Sequence, residues 1–89
     1  MLVNIEDVGG LVVKDNDTYT LKDNTMLNNL VVSSTNLKPY KSTNGHTHPG
    51  QEEVYFFHKG KGEMEIDGER FPVTEGDVIC INDGDYHRV

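Results

Sequence analysis

The chain holds one cysteine, no tryptophan and three prolines in 89 residues. A lone Cys80 excludes an internal disulfide and fits a reducing compartment. Basic side chains are scarce: 8 Lys and Arg face 15 Asp and Glu, for a formal net charge of -7. A surface so short of clustered cations argues against nucleic acid and against an anionic membrane as partners. No apolar run approaches a membrane span, and the opening Met1-Leu2-Val3-Asn4-Ile5-Glu6-Asp7 lacks the basic start of a secretory signal. A cytoplasmic location is therefore expected. The length predicts a single domain over 1–89 with a modest core, a size that often needs a disulfide, a metal or a partner.

Long helical periodicity is also missing. Short β-branched or alternating runs between turn residues predict an all-β chain, built as a barrel or a double-sheet sandwich. Strands are expected at Leu11 to Lys14, Tyr19 to Leu21, Leu27 to Ser33, Leu37 to Lys41, Val54 to His58, Glu63 to Ile66, Arg70 to Val73 and Val78 to Ile81. Asp67-Gly68 is a strong hairpin signal, because both central positions of a type I′ turn need positive φ. Glu75-Gly76-Asp77, Asn82-Asp83-Gly84-Asp85 and Asn44-Gly45 are expected turns. Residues 1–25 read as N-terminal strands or a loose arm, and 45–89 as the part that carries the chemistry.

That chemistry is a ligand set. His46 and His48 are two apart, so in extended chain their imidazoles share a face. Glu53 follows after four residues, and His87 comes far downstream. Three imidazoles and a carboxylate are a mix used for one divalent metal ion, whether Zn, Mn, Fe, Ni or Cu. Of the adjacent pair Glu52 and Glu53 only one can face inward. Parity then turns Tyr55 and Phe57 the same way as Glu53, and Val54, Phe56 and His58 the other way. Met64 and Ile66 would form an apolar row, with Glu63, Glu65 and Asp67 in solvent. Cys80 reads as a small buried hydrophobe.

The stretch His46-Thr47-His48-Pro49-Gly50-Gln51-Glu52-Glu53 with Gly60 resembles the first motif of the cupins: His-x-His, three or four residues, Glu, six residues, Gly. Gly76, Gly84 and His87 match the second in register. The resemblance implies a cupin-type jelly-roll barrel (a double-stranded β-helix). It also implies His46, His48, Glu53 and His87 as metal ligands, with Glu53 rather than Glu52 at the required distance from Gly60. Tyr40 and Asn82 stand where the family has Gly and Pro. The pattern normally continues past the position of Val89, so the barrel is expected to be shortened at its C-terminus.

The expected activity is a metal-dependent one on a small oxygen-bearing molecule. It would be isomerisation or epimerisation of a sugar or sugar-phosphate, or oxygen-dependent cleavage. The alternative is a non-catalytic small-ligand-binding or sensor barrel. Tyr55 and Tyr86 are the candidate catalytic side chains, and Lys38, Lys41 and Arg88 the only cations near enough in sequence to suit a phosphate. The apolar outward Val54 and Phe56 predict a homodimer.

Overall fold

The computed structural model describes residues 2–89. They form eight antiparallel strands: β1 Leu11–Asp15, β2 Tyr19–Asn24, β3 Val32–Leu37, β4 Glu53–Phe56, β5 Lys61–Ile66, β6 Glu69–Thr74, β7 Val78–Ile81 and β8 His87–Arg88. The all-β expectation holds, in sheets that suit a jelly roll but do not close on themselves into a barrel. No helix among the described residues is long and apolar enough to cross a membrane. The chain divides into two compact units, 1–42 and 43–89.

The first unit is the sheet β1-β2-β3. Asn16 closes the β1–β2 loop by accepting the Thr18 and Tyr19 amides on its side-chain oxygen, the local bonding that makes Asn a turn residue. The strands expected over 27–33 and 37–41 are replaced by one, β3. The register pairs Asn24 with Val32, so 25–31 must loop, and Asn28-Asn29 suits that better than a ladder. At the far end Pro39 fixes φ, Tyr40 takes φ 61 and the Lys41 amide donates to the Lys38 carbonyl. That turn ends the strand. Most of the strands 11–24 therefore lie in the region read as strands or an arm; Met1 falls outside the described residues.

The second unit holds two sheets, β4-β7 and β6-β5-β8. Asp67 and Gly68 take φ 49 and 84 between β5 and β6, as the hairpin signal required. Pro72 sits on β6, at the edge of its sheet, where a missing N–H is tolerated. Met64, Val73 and Ile81 form the core, with Tyr55, Phe57, Ile66, Phe71, Ile79 and Val89 packed against it. Burying such a side chain contributes about 1.5–3 kcal/mol.

Alternation along β4 and β7 follows the expected parity. Tyr55, Ile79 and Ile81 point to the core, while Val54, Phe56 and Val78 are 53%, 72% and 52% exposed. Cys80 is a correction: it is exposed rather than buried. It pairs with Val54 on the outward face and lies between the inward Ile79 and Ile81, so the two-residue period leaves it no way in. Glu65 departs from the solvated row more mildly, lying under Arg70 at 3.3 Å.

Candidate metal centre

Three local devices bring the ligands together. The chain from Thr43 to His46 runs beside the last strand: the Thr43 amide donates to the Val89 carbonyl (2.7 Å), and His46 and His87 exchange both backbone hydrogen bonds (3.2 and 3.0 Å). Between these pairs Asn44 and Gly45 stand opposite Arg88 alone. Two residues against one is the arrangement of a β-bulge, which re-aims the neighbouring side chain. His48-Pro49-Gly50-Gln51 is a tight turn, closed by the Gln51 amide on the His48 carbonyl, with Gly50 at φ 83. Pro and Gly at its centre are the type II choice. The Gly50 amide donates to Asp83 Oδ1 at 2.6 Å, which ties this turn to the one leading into His87. Glu53 opens β4 opposite Ile81.

His46, His48, Glu53 and His87 are thereby collected, with one ligand atom of each within 4.8 Å of all the others. The ring centroids of His46 lie 4.4 Å from those of both His48 and His87. Metal–ligand bonds of about 2.0–2.2 Å place donors about 3–4.3 Å apart around one ion. Small side-chain rotations bridge the difference. Burial is graded: His46 is exposed, His48 and Glu53 are half-buried, and His87 is buried.

The innermost pair carries the chemical signal. His87 Nδ1 lies 3.2 Å from the Asp85 carbonyl. A carbonyl only accepts, so this contact calls for a proton on Nδ1 and turns Nε2 toward Glu53. Nε2 lies 2.7 Å from Glu53 Oε2. At that distance the two form an ion pair when His87 is protonated, yet both atoms are buried and neither has a hydrogen-bond partner. In the neutral tautomer two buried acceptors face one another, at a desolvation cost of about 1–3 kcal/mol each. A cation between them removes that cost. Orientation of a metal-binding imidazole by a bond to its other nitrogen is the usual arrangement.

Tyr55 stands edge-on to His87, with ring centroids 5.7 Å apart. Burial, and secondarily the Glu53 charge, push its phenol above the ordinary 10.0. It is therefore a hydrogen-bond donor at neutral pH. Tyr86, the other candidate, is held differently: its ring lies on Gly45, where a Cβ would overlap the hydroxyl and Cζ. This corrects the turn expected at Asn44-Gly45. No turn forms, Gly45 has no positive φ, and the glycine is required for space. His58 is exposed and outside the cluster. Lys38 is engaged on the Asn16 carbonyl, with Asp15 at 3.9 Å.

Sequence reasoning missed three supporting groups: Asp83, the Asp85 carbonyl and Thr43, whose hydroxyl donates to the Val89 carbonyl and accepts the Val89 amide. A backbone carbonyl has no sequence signature. Asp83 had one, as an Asx residue in a turn, but nothing in the sequence pointed it at Gly50.

Residues 34–89 match the family model described as the cupin domain. The uncharacterized protein MJ1618 of Methanocaldococcus jannaschii is 39% identical over 44 residues, which are 49% of this chain and 35% of that protein. The chain thus spans about a third of the length of the curated relative it matches. No solved structure matches it.

Proposed function

The chain belongs to the cupin family, and from that premise we propose that it holds one divalent metal ion on His46, His48, Glu53 and His87 and acts through it on a small oxygen-bearing molecule. The observation that carries this is the buried pair His87 Nε2 and Glu53 Oε2, 2.7 Å apart and without a hydrogen-bond partner, inside a four-donor cluster. Three imidazoles and a carboxylate leave about two of six octahedral positions for a ligand. A hydroxy-ketone, a diol or a sugar fits two adjacent oxygens there. The ion would supply Lewis-acid polarisation of a ligand oxygen.

The chain's own residues do the rest. Asp85 fixes the His87 tautomer, Glu53 brings negative charge, and the exposed His46 marks the side from which a ligand arrives. Tyr55, protonated and beside His87, is placed to donate to a ligand oxygen or to return a proton to carbon. The reaction is isomerisation or epimerisation of a sugar, or oxygen-dependent cleavage where the metal is Fe(II). Protein loaded in turn with Mn(II), Fe(II), Ni(II) and Zn(II) is expected to convert a member of a panel of sugars and diols, or to take up oxygen. Tyr55→Phe should lower kcat about 10²–10⁴-fold, the usual range for a positioned acid or base, and leave metal affinity within about twofold. Bound metal without turnover across the whole panel would move the protein to the binding or sensing class.

A homodimer belongs to the same proposal. Cross-strand pairing of Val54 with Cys80 and of Phe56 with Val78 puts four apolar side chains on one outward face. A second copy would cover that face. Sedimentation at micromolar concentration is expected to give twice the monomer mass of 10.0 kDa, and Phe56→Lys half of that. A wild-type monomer would overturn it.

A further inference from the structure

The sequence offers Tyr86 as a candidate catalytic side chain, yet its contacts are those of a fastener. Its backbone is tied to the β5–β6 hairpin turn from both directions. The Asp67 amide donates to the Tyr86 carbonyl at 2.9 Å, and the Tyr86 amide donates to Asp67 Oδ1 at 3.0 Å. Its ring reaches the other way and lies on Gly45, inside the two-against-one stretch that precedes His46. Gly45 is not in the left-handed region, so the absent side chain serves only to admit the ring. His46, which is exposed, follows Gly45 in the chain, and His87, which is buried, follows Tyr86.

We propose that Tyr86 is a positioning residue. Its ring, seated on Gly45, clips the loop that carries His46 and His48 to the strand that carries His87 and sets the aim of the His46 imidazole. The inference rests on the metal site proposed above. The Thr43–Val89 bonds hold the start of that loop, and the two His46–His87 backbone bonds hold its end. Between them the Tyr86 ring lies against Gly45. Without it His46, which is exposed, keeps only its ring contacts with His48 and His87 to hold its direction. The hydroxyl end of the ring is what meets Gly45, and the proposal assigns the work to its packing rather than to a hydrogen bond.

The test uses the full chain and cobalt(II) alone, with affinity read by titration, ligand number by the visible cobalt spectrum, and His46 amide exchange in the metal-free protein. Tyr86→Ala is expected to weaken cobalt binding about 10–100-fold, the range for a residue that orients a ligand. Its spectrum should move toward that of His46→Ala. Tyr86→Phe should restore wild-type affinity and spectrum. Gly45→Ala should weaken binding to a similar degree, because its Cβ expels the ring. With the ring gone that Cβ fits, so the Gly45→Ala/Tyr86→Ala double variant should bind no worse than the weaker single. Wild-type spectrum and affinity in Tyr86→Ala, or losses that multiply in the double variant, would overturn the clip while leaving the metal site standing. Should wild-type protein take up no cobalt, the metal reading goes. Amide exchange then decides the clip alone: faster exchange at His46 in Tyr86→Ala upholds it, and unchanged exchange ends it.

Discussion

Replacing His87 by alanine is expected to weaken metal binding about a hundredfold or more and to destabilise the metal-free protein as well. Among the described ligand residues His87 is the buried one, 1% exposed, and it is the one whose tautomer is set, by the Asp85 carbonyl. Four-ligand sites bind with about 10–16 kcal/mol, or about 3 kcal/mol per ligand, so its loss should weaken affinity about a hundredfold or more. The second effect has a separate cause. Removing a buried ring leaves a cavity beside Tyr55 and an unbonded Asp85 carbonyl, which costs about 2–4 kcal/mol. Titration with zinc and a denaturant melt in chelator read the two effects independently. His58→Ala, at an exposed position outside the cluster, should leave both within error. Uptake of one metal per chain by His87→Ala at wild-type affinity would remove His87 from the ligand set and the proposed centre with it.

The thermal stability of the wild type should depend strongly on metal. A ligand that binds only the folded state adds RT ln(1 + [L]/Kd), which is about 4 kcal/mol at a thousandfold excess over Kd. For a domain of this size each kcal/mol moves Tm by about 4–8 °C. Saturating zinc or manganese is therefore expected to raise Tm by about 15–30 °C over the chelated protein. Glu53→Gln keeps the shape of the side chain and removes the charge. It should lose most of that shift, yet melt in chelator at or above the wild-type temperature, because an amide can donate to His87 Nε2 where the carboxylate only faces it. Equal melting with and without metal would show that the four side chains do not act together on an ion.

The site was legible in the sequence to an unusual depth, and the reason is geometric. His46 and His48 advertise themselves by the two-residue period, Glu53 and His87 by fixed intervals to Gly60, Gly76 and Gly84, and the structure brings all four to one place. The Asp67-Gly68 hairpin and the inward run Glu53, Tyr55, Phe57 were equally visible, since turn chemistry and alternation are local properties. What stayed hidden depends on register. The start of β3 is set by Asn24 finding Val32, which no local preference of Leu27 to Val31 reveals. Cys80 is outward because Val54 is, a fact of pairing rather than of thiol chemistry. Gly45 looked like a turn residue after Asn44, and the true demand on it comes from Tyr86, distant in sequence.

The two-against-one stretch at Asn44 and Gly45 has a consequence for how this segment can change. Alternation means that one residue fewer between Thr43 and His46 would restore an even ladder, one more would set three residues against one, and either change of parity would send the first imidazole to the opposite side. Asn44 itself can vary in identity, yet the spacing cannot. Here the chain tolerates spelling changes but no insertion or deletion, and a natural variant or designed graft of this segment must preserve its count before its composition.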